Sequence, residues 1–199
     1  MPDKIRIVAI SGSTRRASSN LNLIKAIAEQ ASETFAVNIF EGLSDLPHFN
    51  PDLDNENVDP QITEFRKLLS EADGVLICTP EYAIGVPGTL KNAIDWTVSS
   101  MEFSNKPVAL ITASLSGEKA HKSLLGTLLI IEARMTTDTQ LLISSVKTKV
   151  NAEAKITDNE TLNSVNKLIQ SLTEIIISDD TALLSAPILM NEGVDSGQH

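Results

Sequence analysis

Short apolar runs and amphipathic stretches alternate along this chain, and their order sets its architecture. Ile5, Ile7, Val8, Ala9 and Ile10 form a nearly continuous run rich in β-branched residues. That is the pattern of a strand buried on both faces of a parallel sheet. Phe35 to Phe40, Val75 to Thr79, Val108 to Ile111 and Thr139 to Val146 predict four more strands. Between them, apolar residues recur at the three- and four-residue spacing of a helix face. The first set is Leu21, Ile24, Ile27 and Ala31, followed by Ile62, Phe65, Leu68 and Leu69. Leu90, Ala93, Ile94 and Val98 mark a third helix, and Leu124, Leu125, Leu128 and Ile131 a fourth. The last helix is the clearest, with Leu162, Val165, Leu168, Ile169, Leu172, Ile175 and Ile176 in step. Periodicity is lost from Asp179 onward. Residues 1–180 are therefore expected to form one domain, and 181–199 a mobile tail.

Five strands alternating with five helices imply an α/β fold with a doubly wound, five-stranded parallel sheet and helices on both faces. The order 2-1-3-4-5 suits this number of strands, and ligands then bind beyond the strand carboxyl ends, between strands 1 and 3. Three loops are expected to gather there: Ser11 to Asn20, Pro80 to Gly88 and Thr112 to Gly117, each rich in Gly, Ser, Thr or Pro. The stretch from Gly42 to Pro60 carries three prolines and little periodicity, and reads as a long loop serving as a lid or an interface element.

Charge narrows the partners. The net charge of −10 and a pI near 4.7 disfavour nucleic acid and anionic membrane, and they make Arg15-Arg16 a positive island. The single Cys78 leaves no intrachain disulfide to form, so a reducing, cytoplasmic setting is expected, with the thiol buried as a small apolar group. No apolar run approaches the ~18 residues of a membrane span, and the Ile5–Ile10 run is too short for a signal peptide. His121, at a helix start, reads as a solvated side chain and His48 as an incidental surface position. No catalytic triad or metal-binding spacing is recognisable.

The first loop carries the strongest chemistry. A buried strand stops at Ser11-Gly12-Ser13-Thr14-Arg15-Arg16-Ala17-Ser18-Ser19-Asn20, and a helix begins. Free N–H groups and the helix dipole favour an anion at such a junction, with serine hydroxyls and two arginines as further donors. An ordinary βα turn with a good cap is the plainer alternative. The loop matches neither GxGxxG nor GxxxxGK[ST]. In the second loop, Pro80-Glu81-Tyr82-Ala83-Ile84-Gly85-Val86-Pro87-Gly88, two prolines stiffen the path and Tyr82 offers a flat ring beside backbone amides. A planar polar heterocycle suits that wall; a stiff turn with Tyr82 packed on its own protein is the alternative.

These two loops carry a resemblance. Gly12 to Asn20 resembles the GS-x-R-x-x-S-x-N phosphate loop of the NADPH-dependent FMN reductase family, which is flavodoxin-like. Pro80 to Trp96, PEYAIGVPGTLKNAIDW, is similar to that family's PEYN-x-x-x-PG-x-LKNAIDW. The resemblance implies an enzyme that takes hydride from NADPH or NADH through FMN to a small-molecule acceptor such as free flavin, a quinone, an azo compound or a metal oxyanion. It implies that Ser13, Arg15, Ser18 and Asn20, with Ser11 and Ser19 beside them, hold the FMN phosphate. It also implies that Pro80, Glu81 and Tyr82, with Ala83, Ile84 and Gly85, line the isoalloxazine, and that Ser114, Leu115, Ser116 and Gly117 close its other side. In the family the helix bearing Trp96 packs against a second subunit, which implies a homodimer or homotetramer. Two departures stand out. Ala83 replaces the family's Asn, with the expected loss of one polar contact near the ring, and the third loop's GG-x-RAQ reads Ser116-Gly117-Glu118-Lys119-Ala120-His121. A flavodoxin-type electron carrier, or a scaffold that has lost its cofactor and serves as an interaction module, are the alternatives.

Overall fold

The computed structural model describes residues 4–178 and 182–186. Five parallel strands pair in the order β2-β1-β3-β4-β5: β1 (Ile5–Ser11), β2 (Phe35–Phe40), β3 (Gly74–Thr79), β4 (Val108–Ala113) and β5 (Gln140–Ile143). Five helices alternate with them: α1 (Ser19–Gln30), α2 (Pro60–Glu71), α3 (Gly88–Asp95), α4 (Glu118–Ile130) and α5 (Asn159–Ile177). The doubly wound sheet and its strand order are those expected from the pattern.

Every residue of β3 and β4 is buried because helices cover both sheet faces. Alternate side chains sort accordingly. Val8, Ile10, Val75, Ile77, Val108 and Leu110 pack with α2, α3 and α4. Ile7, Ala9, Leu76, Cys78, Ala109 and Ile111 pack with α1 and α5. Trp96, Leu90 and Ile94 belong to the core.

Boundaries differ from the pattern in three places. β4 runs on through Thr112 and Ala113, which had read as loop. β5 covers only Gln140–Ile143, because Thr139 lies in a 3-10 turn capped by Thr136 and Ser145 turns left-handed at φ 54° before a second 3-10 turn, Val146–Thr148. The 42–60 stretch is a strap with two 3-10 turns rather than an unstructured loop. Leu43 and Leu46 are buried, and the Pro47 carbonyl accepts from Asn92 Nδ2 at 3.0 Å and Trp96 Nε1 at 2.8 Å. Of the expected tail, the Leu184 N–H donates to the Met135 carbonyl at 2.8 Å. Residues 179–181 and 187–199 lie outside the described residues.

Candidate functional site

Pairing brings the strand carboxyl ends level, with Ser11 opposite Cys78 and Thr79 opposite Thr112. The loops that follow enclose a cleft of about 430 Å³, lined by Ser13, Arg15, Ser18, Ser19, Asn20, Pro80, Tyr82, Ser114, Leu115 and residues 145–148.

The first loop leaves β1 through Gly12, whose N–H donates to the Cys78 carbonyl at 2.9 Å. A Cβ at Gly12 would lie 2.2 Å from Thr79 Oγ1, so only glycine lets the two strand exits approach. Ser11 Oγ donates to the Ser13 carbonyl at 3.1 Å and accepts from the Ser13 N–H at 3.3 Å, so it shapes the loop and does not line the cleft. Ser18 caps α1, its Oγ accepting from the Leu21 N–H at 3.4 Å. The N–H groups of Ser19 and Asn20, in the first turn, have no intrahelical acceptor and are the donors that suit an anion. Arg15 lines the cleft, and among the described residues it forms no ion pair. Arg16 does not line this cleft but borders a smaller one of about 250 Å³ near Glu41, which Ser13 and Arg15 also line.

The Asn20 side chain points into protein. It is 5% exposed; its Nδ2 donates to the Ala113 carbonyl at 3.1 Å, and its Oδ1 accepts from the Cys78 thiol at 3.2 Å. Burial pushes the pKa of that thiol up, which keeps it protonated and a donor.

In the second loop, Tyr82 and Gly85 exchange both backbone hydrogen bonds at 3.0 Å, and Ala83 and Ile84 stand at φ 48° and 64°. Left-handed conformation at both central residues makes this a type I′ turn. Ala83 and Ile84 do not line the cleft, and Ile84 is 74% exposed. Tyr82 lines it, with its hydroxyl 3.2 Å from Ser13 Oγ. Glu81 is turned elsewhere: its carboxylate accepts from the Ala120 N–H at 2.9 Å in the first turn of α4, where an anion suits the helix dipole. The Glu81 N–H donates to Ser114 Oγ at 3.3 Å. Glu81 is thus a brace between loops.

The third loop contributes Ser114 and Leu115; Ser116 and Gly117 stand outside the cleft, with Gly117 at φ 100° forming the N-cap of α4. His121 is not a solvated side chain. Its Nδ1 lies 2.9 Å from Thr112 Oγ1 and its Nε2 2.7 Å from Gln140 Oε1, clamping α4 to the ends of β4 and β5. A fourth wall, residues 145–148, follows β5 and was missed in the sequence. Ser145 and Val146 donate N–H bonds to the Leu115 and Ser114 carbonyls at 3.3 and 3.2 Å. The signal that could have found it is topological, since order 2-1-3-4-5 sets the end of β5 beside the end of β4.

Clefts of about 370 and 460 Å³ also open between β2 and α2, but Glu41, Asp45 and Glu64 line the larger one, charges that repel a phosphate. No helix among the described residues is long and apolar enough to cross a membrane.

Comparisons with known proteins agree on kinship. The chain is similar to the quinone reductase of Escherichia coli strain K12, 28% identical over 183 residues, covering 88% of this chain and 97% of the relative. An NAD(P)H-dependent FMN reductase of Pseudomonas aeruginosa is 29% identical over 177 residues, covering 86% and 95%. An NADPH:quinone oxidoreductase of Arabidopsis thaliana is 30% identical over 176 residues, covering 84% and 90%. Among solved structures, the flavoenzyme NAD(P)H:(acceptor) oxidoreductase of Paracoccus denitrificans shares the fold, with a TM-score of 0.72 at 24% identity over 87% of this chain and 97% of that one. The model of the NADPH-dependent FMN reductases matches residues 5–148, from the first strand through the turn that closes the cleft. Over that span the chain belongs to the NADPH-dependent FMN reductase family, whose enzymes work with FMN and NAD(P)H.

Proposed function

We propose that the cleft binds FMN, with the phosphate at the first loop and the ring beside Pro80 and Tyr82, and that the chain reduces a quinone or similar small acceptor at the expense of NAD(P)H. The carrying observation is the donor set. The cleft joins serine hydroxyls, the first turn of α1 and Arg15, which forms no ion pair among the described residues, to a tyrosine whose hydroxyl meets Ser13. A phosphate monoester joined to a flat heterocycle fits that set, and the volume is that of a ligand site. Bound FMN would supply the redox chemistry, accepting hydride and returning electrons.

The chain's own residues bind and position. Arg15 and the α1 N–H groups neutralise phosphate charge. Glu81 fixes the second loop on α4, and the Ser13–Tyr82 contact sets the ring of Tyr82 against the first loop. Quinone is favoured as acceptor because relatives aligned over most of the chain carry that name. A homodimer fits the exposed apolar side chains Leu53, Val98 and Met101 near the end of α3. One buried cysteine and the use of reduced nicotinamide suit the cytoplasm.

Titration with FMN, followed by NADPH oxidation with added benzoquinone, free flavin, an azo dye or chromate, tests this reading. Arg15→Ala should weaken FMN about ten- to a hundredfold, since charge-assisted contacts contribute ~1.5–3 kcal/mol. Arg16→Ala, facing the other cleft, should matter less. A wild type that binds no FMN, or an Arg16→Ala variant weaker than Arg15→Ala, would overturn it.

A further inference from the structure

We propose that Lys147, in the turn after β5, is a second phosphate anchor of the cleft, facing the first loop and taking a phosphate monoester of the cofactor or of the hydride donor. The proposal rests on the FMN-site reading above.

Three observations carry it. First, Lys147 lines the same cleft as Arg15, and neither forms an ion pair among the described residues. In a chain with 26 acidic and 16 basic side chains, two uncompensated cations on one cleft mark it as a seat for an anion. Second, the turn that carries Lys147 is held on several sides. Val146 is buried in the core, Ser145 and Val146 are bonded to the 114–115 backbone, and Asn22 Nδ2 of α1 donates to the Asn151 carbonyl at 3.0 Å. Those ties fix the turn to α1 on one side and to the third loop on the other, so the lysine is presented by a rigid mount. Third, its neighbours are spent on building the turn: Thr148 Oγ1 donates to the Ser145 carbonyl at 2.9 Å, and the Thr148 N–H donates to the same oxygen at 3.0 Å. The ammonium is the group of this turn left with donors to give.

An ammonium on a flexible stem attracts a phosphate as a point charge, without the forked geometry of arginine. A phosphate monoester can reach this cleft from two sources, the 5′-phosphate of FMN or the 2′-phosphate of NADPH. Matched ligands separate them: riboflavin lacks the first phosphate, and NADH lacks the second.

The experiment compares wild type, Lys147→Ala and Lys147→Arg, all checked for equal melting temperature. Fluorescence titration measures Kd for FMN and for riboflavin, and separately for 2′,5′-ADP and 5′-AMP, which differ only in the 2′-phosphate, at low and high salt. Lys147→Ala should weaken FMN or 2′,5′-ADP about five- to tenfold while the partner that lacks the one phosphate, riboflavin or 5′-AMP, is unchanged, with the difference shrinking as salt rises. Lys147→Arg should recover most of the loss. A loss confined to FMN identifies the cofactor phosphate, and a loss confined to 2′,5′-ADP identifies the hydride donor. Equal affinities for all four ligands in wild type and Lys147→Ala would overturn the anchor while leaving the FMN reading intact, provided wild type binds FMN. Equal losses within each pair would overturn it too, because an anchor for one phosphate cannot act through a ligand that lacks that phosphate.

Discussion

Asn20 shows how one side chain can belong to a ligand motif and yet serve the fold. It joins three elements at the head of the cleft, α1 through its own backbone, β4 through Ala113 and β3 through Cys78. Its partners lie 93 and 58 residues away in sequence, so no local pattern could reveal them. The family resemblance placed Asn20 with the phosphate holders; its amide is already used, which leaves only the backbone N–H for that part. Asn20→Ala should therefore cost about 1–3 kcal/mol of stability, leaving the Ala113 carbonyl and the Cys78 thiol without their partner in a buried site. Urea unfolding of the apoprotein reads that loss directly. FMN affinity, measured where the variant is fully folded, should fall less than in Arg15→Ala. An unchanged urea midpoint together with a larger loss of FMN affinity would mean that the amide is a ligand after all.

At the scale of the element, the second loop holds a conflict between residue type and backbone. A type I′ turn asks for left-handed conformation at both central positions, which Asn-Gly meets cheaply, and this chain supplies Ala83-Ile84. For a β-branched residue the left-handed region costs about 1–2 kcal/mol, and exposed Ile84 gains little burial in return. This recasts the Ala83 departure: Asn suits position 83 because its side chain tolerates φ > 0, so its replacement strains the turn rather than deleting a contact in the cleft. The double variant Ala83→Asn, Ile84→Gly should raise stability by about 1–2 kcal/mol, seen as a melting temperature about 2–8 °C higher by calorimetry. FMN affinity should move by less than about tenfold, because neither side chain lines the cleft. A melting temperature that does not rise would show that these residues are unstrained in solution. The turn was illegible in sequence for the same reason that it is strained, since Ala-Ile carries none of the residues that signal it. Loops one and two were legible as sites because their glycines, prolines and serines have mechanical meaning on their own.

Across the whole molecule, legibility followed burial. The central strands β1, β3 and β4 read as apolar runs because helices cover both faces, whereas the edge strand β5 has a single buried residue and its apolar signal ran on into the Val146 turn. The same edge position hid the fourth wall of the cleft. Ion pairing leaves no mark on the hydrophobic pattern either, and it sets how the fold meets acid. Asp73 accepts from the Arg6 side chain at 2.6 Å and from its N–H at 2.8 Å, tying the turn before β3 to β1. Arg6, above all through its side-chain hydrogen bond, holds the Asp73 pKa below the ordinary value. Burial would raise the pKa of Asp54, but bonds from Ser99 and Arg66 outweigh it and leave it lowered, joining the strap to α2 and to the segment after α3. Asp158 is also lowered, by the Thr161 hydroxyl and N–H at the start of α5. For a carboxyl whose folded pKa is depressed, the added stability is fully present above the unfolded value, near 3.8 here, and is lost as pH falls through the folded value. Urea midpoints should therefore change little between pH 7 and about pH 5 on account of these three groups and drop steeply below about pH 4. Asp54→Asn should be less stable than wild type at pH 7 and show a shallower acid limb, so that the two curves approach each other as pH falls below about 4. Curves that stay parallel throughout the acid limb would remove Asp54 from the acid response, and a midpoint that rises on acidification would reverse the sign assigned to all three carboxylates.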